Sequence, residues 1–285
     1  VVSVMDAMAR HEDEKFQEGA CELLWRVVKE VSVNNMASWV PCMQAVVVAM
    51  RRHVVCANLQ LHACAMLVHV SADYETHAAM AHAGVVAVLV AGMVKHPMCV
   101  NIQHNAILVF GRLSSVMMPH FREFSLSSRG ANVVQAAAVE MMRPAALGRH
   151  TDEITHSAVE AVVAAMTTHS RHIAVQQRGI SMLNNMCLTD EGQSLLIAEG
   201  VVDCVAKVMC MQTGDWDLSS TLELLDDVSV GVTALGEKVH AVAGTVQGGA
   251  CVLLSNCTRR QFIGTSMAVV AGETMRDLVL AVMLF

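Results

Sequence analysis

Charge is scarce in this 285-residue chain: Asp, Glu, Lys and Arg make up 16% of it, against roughly 25% in a typical soluble protein. Aromatic residues are scarcer still, at 4%, so Val, Ala, Leu and Met must fill the core, which favours thin, helix-rich packing. Hydrophobic residues reach 54% and mean hydropathy is +0.46, which excludes a disordered chain. Long apolar runs are nevertheless missing. The longest stretch without a polar side chain, Ala83 to Val94, has twelve residues, where a spanning helix needs about 20. No membrane span is expected, and no basic start with an apolar core and cleavage site suggests secretion. The net charge of −7 and pI near 6.0 leave no broad cationic field for nucleic acid.

Reactive motifs are also lacking. There is no Cys-x-x-Cys, His-x-x-x-His, Gly-x-Ser-x-Gly, phosphate loop or dinucleotide fingerprint. The pairs His77/His82, His169/His172 and His62/Cys64 do not have metal-ligand spacing, so no metal site, cofactor or small-molecule substrate is expected. The ten cysteines are scattered through an apolar chain, as expected of buried thiols in a reducing compartment, with the cytoplasm or cytoskeleton favoured. The cluster His11-Glu12-Asp13-Glu14 reads as a solvated turn, Asp226-Asp227 as a helix face, and the chain as a non-enzyme.

What is present is repetition. One phrase returns five times: Gln17-Glu-Gly-Ala-Cys21, Gln60-Leu-His-Ala-Cys64, Gln103-His-Asn-Ala-Ile107, Gln176-Gln-Arg-Gly-Ile180 and Gln247-Gly-Gly-Ala-Cys251. The first two intervals are both 43 residues. Leu24, Leu67, Phe110, Leu183 and Leu254 follow each phrase at one spacing, and Val27, Val70, Leu113, Met186 and Cys257 at the next, as in a helical stripe. The Ala or Gly before the stripe lets a neighbouring backbone approach. About ten residues upstream a second helix ends at Met8, Met50, Met93, Met166 or Leu235, and His11, His53, His96 and His169 follow four of these. A His there suits the negative end of a helix. Gly84 and Gly200, nine residues before Met93 and Met209, fit sharp turns with positive φ.

Three helices in about 42 residues, with Met182-Leu-Asn-Asn-Met186 and Val252-Leu-Leu-Ser-Asn-Cys257 on the third, resemble the armadillo repeat, in particular the units of leucine-rich-repeat-kinase-type and protist proteins. The resemblance implies an all-α, right-handed armadillo/HEAT-like superhelical solenoid, with units at 1–38, 39–80, 81–125, 126–152, 153–198, 199–220, 221–262 and 263–285. The fourth and sixth are degenerate and the last partial. Register is lost between Gln103 and Gln176 and between Gln176 and Gln247, so irregular loops are expected at 117–130, 144–152 and 213–218. Both chain ends look like second helices without polar caps, which predicts either a longer array or docking at both ends.

The resemblance also implies a groove. Third helices line the concave face, and the position where the family often carries a peptide-clamping Asn holds Arg26, His69, Arg112, Asn185 and Asn256 here. The family's nuclear-signal binders place a Trp four residues earlier, where this chain has Glu22, Ala65, Leu108, Ser181 and Val252. A basic import signal is therefore disfavoured; Arg at the groove suits carboxylate or phosphate. The function implied is a protein-binding scaffold or structural subunit of a larger assembly. Two alternatives are a peptide-binding transport adaptor and the regulatory arm of a multidomain enzyme.

Overall fold

The computed structural model describes residues 1–31, 33–117, 148–187, 190–209 and 246–254, and all their regular structure is helical. The chain forms two compact units, Val1–Ala165 and Met166–Phe285. In the first, the helices are α1 (Val2–Arg10), α2 (Glu14–Val28), α3 (Val40–Arg52), α4 (Ala57–Val70), α5 (His77–His82), α6 (Val85–Lys95) and α7 (Val100–Met117), with 3₁₀ turns at Val33–Trp39 and Tyr74–Thr76. They make two rows: α3 packs on α1 and α6, while α4 packs on α2 and α7.

The repeated glutamine joins the rows. Its side-chain Nε2 donates to two carbonyls at the end of the preceding helix, which the ladder of that helix leaves open. Gln17 donates to Met8 (2.7 Å) and His11 (2.6 Å), and Gln60 to Met50 (2.9 Å) and His53 (3.1 Å). Gln103 donates to Met93 and His96, both at 3.0 Å. The amide is buried in each case, so it does at a helix C-terminus what water does at exposed ones. The recurring Met and His thus matter through their carbonyls, and the Met side chains fill the core beneath.

Glycine is needed where the units turn. Gly84, between α5 and α6, has φ +77°, and Gly200, in the second unit, has φ +67°. Both are left-handed conformations that a Cβ disfavours. The bend at Gly84 is 74° and divides the most apolar stretch of the chain, whose residues Val85, Leu89 and Met93 are buried. No single helix among the described residues is long and apolar enough to cross a membrane.

The boundary between the units falls within α8 (Gly148–Thr168). That helix corrects one expectation: the loop anticipated over 144–152 gives way to helix from Gly148, four residues beyond Pro144, because a proline disfavours helix at itself and its predecessor but not at the residues after it. Of the loops expected at 117–130 and 213–218, residues 118–130 and 213–218 lie outside the described residues, as do the C-terminal partial unit and all of the unit at 221–262 except 246–254. In the second unit α9 (Ile173–Met186), α10 (Asp190–Ala198) and α11 (Val201–Met209) follow one another in contact, and residues 246–254 form α12. The clamp returns here: Gln176 Nε2 donates to Met166 (2.7 Å) and His169 (3.1 Å). Gly179 presses on that same Met166, and a Cβ in its place would overlap the thioether.

Candidate partner-binding groove

Helical phase assigns each side of a third helix a task. Counting from the clamp glutamine, positions 0, +4 and +7 turn to the second helix, and they are buried in α2, α4, α7 and α9. The cysteines at +4 behave as core atoms: burial pushes the Cys21 thiol up to about 12 and Cys64 higher still. Neither is a thiolate nucleophile at neutral pH. Cys251, at the same position of α12, is half-buried. Position +9 lies opposite the core, and this is where the groove residues sit.

Three of those five share the first unit. Arg26 is exposed on α2 and pairs with Glu22 one turn earlier at 2.6 Å. His69 is half-buried on α4. Its pKa is held below the ordinary histidine value by burial first, then by the Lys29 ammonium and the Arg112 guanidinium. Arg112 reaches back from α7 to donate to the Val68 carbonyl and, at 3.1 Å, to Ser71 Oγ, so it ties α7 to the end of α4. Asn185 is half-buried on α9, in the second unit. Asn256 lies outside the described residues.

The structure adds members that the groove pattern did not contain. Lys29 Nζ sits 4.7 Å from the Trp25 ring, and Trp25 stacks on His62 with centroids 5.5 Å apart and planes at 12°. Lys29 at the end of α2 and Arg112 on α7 are therefore two cations that both act on His69 of α4, flanked by an aromatic stack. The signal in the sequence was the phase of Trp25 and Lys29, at +8 and +12, which border the groove. In the second unit the neighbouring Asn184 makes a cross-helix bond, donating to the Gly249 carbonyl at 3.0 Å.

Other candidates find structural employment. Asp13 caps α2 by accepting from Lys15 N at 3.0 Å, and Glu12 pairs with Arg52 at 2.9 Å. His77 is buried with Nε2 donating to the Ser71 carbonyl at 2.9 Å, and His172 caps α9 by accepting from Val175 N. A cleft between α1 and α3, lined by Met5, Met8, Val48, Arg52 and His53, measures about 160 Å³, under the roughly 300 Å³ of small-molecule sites.

No family model matches this chain, and no curated protein matches it. A solved structure of an engineered protein, determined by a structural genomics consortium, is similar at 16% identity and a TM-score of 0.54, covering 90% of this chain and 97% of its own. At that identity the likeness is one of fold alone.

Proposed function

We propose that the chain is an armadillo-type solenoid of stacked three-helix units that works as a protein-binding scaffold, holding its partner along the third-helix groove. The observation that carries this reading is the glutamine clamp, made four times among the described residues with the same two acceptors. A unit closed identically each time stacks in register, and stacking turns single side chains at +9 into a continuous surface. The two cations Lys29 and Arg112, beside His69, favour a partner segment rich in carboxylates. Such a segment would also offset the two cations that, after burial, hold the His69 pKa down.

The test is affinity capture from the native source with the full chain and with a Lys29→Ala/His69→Ala variant. A discrete set of proteins held by the wild type and lost from the variant is the expected result. An identical set on both would remove the groove, and an empty set on the wild type would remove the scaffold reading.

A further inference from the structure

The third helices differ on the side turned away from the following unit. Positions −1, +6 and +10 from the glutamine share one phase, at right angles to both core and groove. In α4 these are Leu59, Met66 and Val70, all at 0% exposure; in α7 they are Ile102, Val109 and Leu113, also at 0%. In α9 they are Val175, Met182 and Met186, and in α12 Val246 and Leu253, at 1% or less. In α2 the same positions hold Phe16, Leu23 and Val27, exposed by 38%, 48% and 38%. Val27, expected in the helical stripe, is therefore uncovered for want of a neighbour rather than through a change of residue type.

The chain itself shows what covers such a face. In α4 it is the third helix of the preceding unit, and the contact has two polar marks. Asn58, at −2, donates to Glu18 Oε1 at 2.9 Å, Glu18 standing at +1 of the preceding helix. His62, at +2, lies under Trp25 at +8 of that helix. The second mark recurs in the other unit, where Asn184 at +8 of α9 reaches Gly249 at +2 of α12. On α2 the −2 position is the exposed Lys15, and the +2 position is Gly19, where a Cβ would meet nothing within 4 Å.

We infer that the Phe16/Leu23/Val27 face of α2 is a docking site for a helix of a further unit built on this chain's own pattern. That helix presents a carboxylate at +1 to Lys15 and a long or planar side chain at +8 over Gly19. The inference rests on the stacked-unit reading above. Its partner is a protein surface of repeat type, distinct from the carboxylate-rich segment assigned to the groove, since an apolar stripe of this size docks a helix face rather than an extended strand.

The probe is a peptide with the sequence of residues 14–28, which carries a suitable glutamate and tryptophan, stapled through positions 17 and 21 on its core side. Fluorescence anisotropy of the labelled peptide against the full chain should give saturable binding. Phe16→Ser/Leu23→Ser in the chain should weaken it about tenfold or more. Lys15→Glu should weaken it less, and a peptide carrying Glu18→Lys should restore binding to that variant. All three replaced residues are exposed, and unchanged helical circular dichroism verifies folding. Absence of saturable binding, or equal binding by the double-serine variant, overturns the proposal. So does a wild-type dimer that the same variant dissociates, because the occupant is then a second copy. Leu59→Ser/Met66→Ser tests the underlying reading by itself: if that chain melts like the wild type, the stack is wrong. If it loses its cooperative transition while the peptide fails to bind, the docking site alone is wrong.

Discussion

Helices α2 and α4 carry the same phrase, the same clamp and nearly the same apolar pattern, and yet one has a bare flank where the other is sealed. Leu23 and Met66 occupy one repeat position; they differ in what lies beside them. In a repeated architecture, burial is a property of the junction and cannot be assigned from the residue. The cost of changing a side chain should therefore follow the junction as well.

Replacing both members of the pair sharpens this most strongly. Met66→Ala, inside the junction, should cost about 2–5 kcal/mol, while Leu23→Ala should stay within about 0.5 kcal/mol of wild type; chemical denaturation of the two variants measures the contrast. Equal losses would mean that α2 is covered after all. Next in size is the clamp. Gln60→Leu keeps most of the volume but orphans the buried Met50 carbonyl and leaves the His53 carbonyl with only the Cys56 N–H, for a loss of about 1–3 kcal/mol. Gln17→Leu removes two bonds of the same burial and should lose a similar amount.

Gly84→Ala should lower stability by about 1 kcal/mol through its left-handed φ, whereas Gly19→Ala, with open space around it and an ordinary helical backbone, should be neutral or slightly stabilising. The smallest effect is acid sensitivity. His77 has its pKa lowered chiefly by burial, so the unfolded chain binds the proton more readily. The stability it contributes is complete above the unfolded value of 6.5 and falls as pH drops below it. Melting temperatures at pH 7 and pH 5 should differ less in His77→Gln than in the wild type.

Much of the framework could be read from the residues alone. The Gln phrase, the upstream Met, the small residue at +3 and the two turn glycines all fall where the periodicity put them, because each is set by local helix geometry. The job of the glutamine was not legible. It binds carbonyls rather than side chains, and which carbonyls are open depends on where the preceding helix stops. The +9 residues could be placed on one helical phase, but not their chemistry: Arg112 spends its guanidinium on α4, a choice made by the neighbouring helix end. The misplaced loop near Pro144 came from extending a proline's influence too far along the chain.

The clamp has one more consequence. In three units the glutamine stands ten residues after its Met acceptor and seven after its His, and in the first unit nine and six. Each closed turn therefore has a nearly fixed length, and adding two or three residues there would pull the amide off both acceptors. Insertions and deletions during divergence should gather in the connections between one unit and the next, leaving the spacing from Met to Gln as the ruler by which distant relatives can be aligned.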